Sequence, residues 1–310
     1  MARFVTAATA ALLAAFLLPA TSEAQTPAPA QPAKTIPAKT KANATKTKAG
    51  AAAAQPGQAG EPASGGAGAD STDKLREAAQ NPVANLISLP FQNNTNFGYG
   101  PYSRTQNVLN IQPVVPFKLT PEWNLITRWV TPLIWQPQLS PTLGSEAGLG
   151  NIQPSFFLSP AEPGKIIWGV GPVLWLPTAT DKTLGVNKWG GGPSAVVLRI
   201  DGPWVYGALV NNIWAGTQNQ RVNQLLVQPF LNYNLPHGWY LTTSPIITAN
   251  WLASPGDKWT VPIGGGFGRL FKIGKLPVNA QIQGFYNVVK PDSGPNWSMR
   301  FQIQALFPTF

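Results

Sequence analysis

The chain has 310 residues, with 22 Lys and Arg against 12 Asp and Glu and no cysteine. The absence of cysteine removes any disulfide framework and any thiolate metal site. The formal charge of +10 does not mark a nucleic-acid partner, because the basic residues form no stripe or basic helix of the kind a phosphate backbone needs.

In chain order, Arg3 gives a positive start, Val5 to Leu18 form an Ala/Leu/Phe-rich run, and Ser22-Glu23-Ala24 precedes Gln25. This pattern predicts a secretory signal peptide over residues 1–24. The run is short for a membrane anchor, and no later run approaches the ~18 apolar residues of a spanning helix.

Residues 25–72 are almost entirely Ala, Pro, Lys, Thr, Gly, Gln and Ser, with Ile36 the one large aliphatic residue. Such a segment buries too little apolar surface to offset chain entropy and is expected to be a disordered tether. Lys34, Lys39, Lys41, Lys46 and Lys48 offer contact to peptidoglycan or acidic headgroups, against the plainer reading of a solvated linker. Asp70 to Asp73 supply N-cap candidates, and Lys74 to Gln80 predict a short helix ended before Pro82. Residues 73–90 are the expected periplasmic helix and plug candidate, and 91–310 the remaining domain.

From Asn85 onward the chain reads as strands and turns. The segments are 85–101, 106–119, 123–134, 148–159, 165–177, 191–201, 203–215, 222–235, 238–251, 258–271, 276–288 and 297–307. In the last of these, Met299, Phe301, Ile303, Ala305 and Phe307 alternate with Ser298, Arg300, Gln302 and Gln304. That is the period-two pattern of a strand with one apolar and one polar face. An alternating final strand with an aromatic end is also what barrel-assembly machinery recognises, so 297–307 is the expected contact with it. The segments exceed the ~5–6 residues usual in soluble sheets and suit tilted membrane strands of ~9–11 residues.

The connections alternate as well. Loops 135–147, 178–190, 216–221, 252–257 and 289–296 follow odd-numbered segments, with 102–105 a short exception. Tight turns at 120–122, 159–164, 201–202, 236–237 and 272–275 follow even-numbered ones. Bacterial barrels show this two-sided pattern, with the tight rim in the periplasm. Trp123, Trp135, Trp189, Trp204, Trp214, Trp239, Trp251, Trp259 and Trp297 fall at or near segment ends, as interfacial girdles do. The expected fold is all-β: a transmembrane antiparallel up-and-down barrel of about twelve strands. It would lie in outer-membrane lipid. The rival is a soluble β-sandwich, which would bury the apolar faces instead. Pro113, Pro154, Pro172, Pro229, Pro245 and Pro262 count against any regular ladder, because each removes a donor. In a barrel they must mark bulges or gaps.

Two stretches, Asn81-Pro82-Val83-Ala84-Asn85-Leu86-Ile87-Ser88-Leu89-Pro90-Phe91-Gln92-Asn93-Asn94 and Thr105-Gln106-Asn107-Val108-Leu109-Asn110-Ile111-Gln112-Pro113, carry a family resemblance. So do Gly148 to Pro154, Trp168 to Pro172 and Gly264 to Gly268. The chain resembles Gram-negative envelope proteins usually labelled transporters, some under the misleading label neuromedin U. It is similar to the outer-membrane barrels associated with the meta-pathway of phenol degradation. The resemblance covers about 81–307 and implies a porin-like transporter of the bacterial outer membrane. It carries over no catalytic or ligand residue.

If the apolar faces meet lipid, the expected pore lining is Asn110, Gln112, Asn124, Arg128, Asn151, Gln153, Arg199, Gln224, Gln228, Asn232, Asn279, Gln281, Gln283, Arg300, Gln302 and Gln304. A neutral, amide-rich and mildly cationic lining favours passive passage of small polar, aromatic or anionic solutes. The same residues would equally cross-link a filled interior, because twelve strands enclose only a narrow lumen. A non-conducting structural barrel is therefore an alternative. A barrel lipid hydrolase is another, but it needs a nucleophile and base in reach. The one histidine, His237, falls in the Leu235-Pro236-His237-Gly238 turn, and no G-x-S-x-G, H-E-x-x-H or P-loop occurs. No catalytic residue, cofactor or metal is expected.

Overall fold

The computed structural model describes residues 66–217 and 221–307, with side chains from Asp73 onward. The predicted signal peptide (1–24) and most of the predicted linker (25–65) lie outside the described residues. One helix, α1 (Gly66–Gln80), precedes the sheet. It starts earlier than the expected 74–80, so residues 66–72 belong to a helix and Asp70–Asp73 lie within it instead of capping it. Asp73 instead pairs with Arg76 at 2.9 Å, one turn on. The helix ends before Pro82, as proline geometry requires. Asn81 then accepts a 2.9 Å bond from the Val83 amide through its side chain, turning the chain inward.

Fifteen strands follow. They are β1 (Ile87–Tyr99), β2 (Arg104–Ile111), β3 (Val114–Lys118), β4 (Trp123–Gln136) and β5 (Glu146–Leu149). Next come β6 (Gln153–Pro160), β7 (Ile167–Trp175), β8 (Gly190–Asp201), β9 (Trp204–Ala215) and β10 (Val222–Asn234). The last are β11 (Trp239–Thr243), β12 (Ile247–Asn250), β13 (Trp259–Ile273), β14 (Leu276–Val289) and β15 (Trp297–Phe307). Three pairs, β2/β3, β5/β6 and β11/β12, are single staves interrupted once, which gives twelve staves that correspond to the twelve predicted segments. Neighbouring staves pair antiparallel, and β15 returns to β1 from Ile87↔Phe307 to Phe97↔Trp297. The ring is closed, so no sheet edge is left unpaired. Because β1 begins at Ile87, residues 87–90 belong to the barrel wall and not to the segment preceding it.

The six prolines singled out in the sequence lie at or beside irregularities of the ladder, whereas Pro90, Pro116 and Pro132 sit within continuous pairing. Pro113 separates β2 from β3 and Pro245 separates β11 from β12. Pro262 sits at a register shift in β13. Pro229 lies between the contacts Val227↔Ile247 and Leu231↔Thr243, opposite the Pro245 break. Pro154 follows the β5/β6 break. Pro172 and Pro193 face each other where β8 lacks pairing with β9 between Gly191 and Ser194. Residues without an amide hydrogen occupy positions that donate nothing.

The two faces separate by chemistry. On β15, Met299 and Phe301 are exposed while Arg300 and Gln304 are buried. Trp129, Val170, Val197, Val210, Ile263 and Phe267 are likewise exposed on the outside. A soluble sandwich would show the reverse, and an apolar surface this continuous is stable only against lipid. Aromatic pairs mark both rims: Phe97 stacks on Trp297 at 4.0 Å, Trp251 meets Trp259 edge-on at 5.5 Å, and Trp204 lies 4.6 Å from Tyr233. These are the two girdles of a membrane-spanning barrel.

Candidate functional site

Strand alternation decides which side chains reach the barrel interior. On β4, Asn124 and Ile126 are buried, and Arg128 shares their face. On β14 and β15 the same holds for Asn279, Gln283, Arg300 and Gln304, and on β10 for Asn232. Gln112 is buried at the β2/β3 break. Asn110 is the cross-strand partner of Gln92, and Gln224 of the inward Ile213, so both share the inward face. Gln153 lies on the same face of β6 as buried Ser155 and Phe157.

A cavity of about 150 Å³ opens among Arg128, Gln112, Gln228, Gln281, Gln302 and Gln304. Its apolar lining includes Leu209, Phe230, Val114 and Leu86, and Asn81, Pro82 and Ala84 enter it from the segment after α1. Arg199 is not part of this lining. It pairs with Tyr206 on the outer face, is exposed, and forms a 3.1 Å ion pair with Asp201. The inward positions of β8 include the buried Ser194, Val196 and Leu198, and Ala195 to Leu198 is apolar on both faces, which hides its register. Asn151 is buried in the β5/β6 break, donating at 2.6 Å to the Leu176 carbonyl. It anchors a loop.

The two inward arginines have different surroundings. Arg300 donates to Asn94 through Nε at 2.9 Å and to the Ser244 carbonyl through Nη1 at 2.7 Å. It also lies 5.0 Å from the Phe285 ring centre. Arg128 makes one bond, Nη2 to Gln112 Oε1 at 2.6 Å. Carboxylates of the described residues are confined to α1, turns, loops and strand ends, and none lines the cavity.

Several features escape the alternation reading. Half of the interior toward the tight-turn rim is apolar: Val83 packs with Val114, Ile126, Phe157, Val196, Leu198, Val205 and Leu209. The amide lining is therefore one side of the lumen only. Tyr240, on the same face as Thr242, is buried and donates to Asn279 at 2.8 Å. Its ring occupies the space a side chain at Gly268 would take. At the rim, Arg76 donates to the Leu235 carbonyl and Gln80 to Asn234, each at 2.9 Å. Leu75, Ala78 and Ala79 of α1 pack on Leu86, Leu270 and Leu306. His237 lies in the Pro236–Gly238 turn with a positive φ of 58°.

No family model matches this sequence, and no curated protein matches it. Solved structures do. An outer membrane channel from Pseudomonas putida F1 is similar at 18% identity and a TM-score of 0.56, over 72% of this chain and 94% of that one. The outer membrane phospholipase A from Escherichia coli is similar at 13% identity and a TM-score of 0.38, over 73% and 93%. The CymD monoaromatic hydrocarbon channel is similar at 8% identity and a TM-score of 0.39, over 78% and 93%. At these identities the likeness is one of fold. The chain is a barrel of the bacterial outer-membrane type.

Proposed function

We propose that this barrel is a transporter-like channel giving passive passage to small polar, aromatic or anionic solutes. The observation that carries the reading is the charge of the interior. Arg128 and Arg300 face inward among amides, while the described carboxylates lie on α1, in turns and loops, or at strand ends. A narrow lumen with fixed positive charge and low-dielectric walls raises the local concentration of anions and repels cations. The fold shared with an outer membrane channel supports the reading, as does the resemblance to barrels of the phenol meta-pathway. Assembly would be directed by the alternating strand 297–307.

Planar-bilayer conductance of the full chain, refolded and checked for a mobility shift on boiling, tests this. Discrete steps with anion preference are expected, and cation-selective steps would overturn it. A second reading has its own observation. Val83 and the apolar side chains around it fill part of the lumen, and α1 lies against the tight-turn rim. A barrel that inserts yet stays silent would favour a structural role, with residues 73–86 as its plug.

A further inference from the structure

Arg300 and Arg128 are both inward cations, but only Arg300 is held by several protein acceptors. A guanidinium has five N–H donors in a planar fork suited to bidentate binding of a carboxylate. Arg300 spends its donors on Asn94 and on the Ser244 carbonyl and hydroxyl, and Phe285 lies against its face. That is the wiring of a structural residue. Arg128 donates one bond, to Gln112. It lines the cavity with its other donors meeting no protein acceptor among the described residues. Arg128 is half-buried, so these donors open to the cavity and can meet a bound anion there.

The cavity also selects what the anion must be attached to. Beside Arg128 lies Gln112, whose side-chain amide can donate to a second carboxylate oxygen. Val114 is the cross-strand neighbour of Arg128, and β9 and β10 bring Leu209 and Phe230, with Gln228 between them, to the same cavity; these apolar side chains offer nothing to a fully hydrated inorganic ion. One polar pole and one apolar wall in a single small cavity fit an amphiphile. We propose that Arg128 is the anchor of a lumen binding site for a small organic monocarboxylate, whose apolar body rests against Phe230 and Leu209. This deepens the channel reading and rests on the lumen being the solute path.

Benzoate is the probe, with benzamide as its uncharged counterpart and acetate as the carboxylate lacking an apolar body. Titration calorimetry on the detergent-solubilised full chain should show saturable benzoate binding. Benzamide and acetate should each bind at least about ten-fold more weakly, in line with the loss of a charge-assisted bond or of apolar contact. Arg128→Gln should weaken benzoate by a similar factor and Arg128→Lys by less, because the charge remains while the fork is lost.

Equal binding of benzoate and benzamide, or of benzoate and acetate, would overturn the proposal. So would an unchanged affinity in a folded Arg128→Gln barrel, or the lack of saturable binding by the folded wild type. If Arg128→Gln does not fold, the three-ligand comparison on the wild type decides alone. Conductance without benzoate binding removes the site and leaves the channel. Benzoate binding without conductance leaves the site and removes the channel.

Discussion

The guanidinium of Arg300 reaches past β14 and β13 to donate a 2.7 Å hydrogen bond to the backbone carbonyl of Ser244. Ser244 opens the break between β11 and β12, where ladder bonds lapse on both sides. Gln283 supports the same point, its Oε1 accepting from the Ser244 amide and hydroxyl at 3.1 Å each. Polar groups freed by an interrupted stave are thus satisfied from inside the lumen. Arg300→Met should leave the Ser244 carbonyl and Asn94 without this partner, at a cost of roughly 2–4 kcal/mol. Urea unfolding of the barrel in lipid vesicles measures that loss, and an unchanged midpoint would show that water or lipid replaces the bond.

Charge reversal at Arg128 tests the lumen field with less structural disturbance, since Arg128 has one hydrogen-bond partner where Arg300 has several. Arg128→Glu should move the anion-to-cation permeability ratio toward cations, by several-fold in low salt and less in high salt as screening grows. Reversal potentials across a salt gradient report it. A ratio that does not move would place Arg128 outside the ion path.

Val83 is 5% exposed within the apolar half of the interior. Val83→Asp puts a charge where no partner waits, and the segment after α1 should leave its seat instead of burying that charge. Single-channel conductance is expected to rise severalfold, while the heat-modifiable gel shift of the barrel is retained. Equal conductance in the two proteins would mean that residues 81–86 do not limit flow.

Tyr240 and Gly268 are cross-strand partners, and the ring lies where a Cβ at Gly268 would sit. Gly268→Ala should destabilise by about 1–3 kcal/mol through overpacking. Combining it with Tyr240→Leu should recover part of that loss, since the two sites share one space. Strict additivity in the double-mutant cycle would refute the steric account.

Asp181, in the loop between β7 and β8, accepts from the Thr183 amide and hydroxyl, both at 2.7 Å. The Thr183 amide, then its hydroxyl, hold the carboxyl below its ordinary pKa. A depressed carboxylate contributes order that is present above its unfolded pKa and is lost as pH falls through the folded value. Protection of the Thr183 amide, measured against its intrinsic exchange rate, should therefore be high near neutrality and fall in acid. Asp181→Asn should give faster exchange at neutral pH, with little change between neutral and acidic conditions once intrinsic rates are removed.

Twelve staves were legible in the sequence because most keep a period-two pattern, and because turn residues such as Gly202 and Gly274, both with positive φ, punctuate them. Two of the three breaks were legible as prolines, Pro113 and Pro245, while the β5/β6 break at residues 150–152 carries none. Two kinds of information were not local. Along Ala195 to Leu198 both faces are apolar, so nothing in the residues before it says that Arg199 points outward. The apolar half of the interior is also invisible to a rule that assigns greasy faces to lipid: Phe157 and Leu158 are adjacent, yet one is buried and the other exposed. The helix begins at Gly66, ahead of its apparent caps, and with Gly66 and Gly68 in its first turn local propensity does not account for that start.

The seam between β1 and β15 joins the two ends of the barrel chain, Ile87 to Phe307. A ring of this kind cannot shut until its final strand arrives, and that contact carries the largest loop-closure cost in the molecule. Leu86 lies beside the seam and packs with Leu306 and with Leu75, Ala78 and Ala79 of α1. The segment that enters the lumen is therefore tethered to the point of closure itself. Order of assembly decides its fate: if Val83 is inward when β15 docks, it is enclosed, and afterwards it can leave only through the mouth of the barrel.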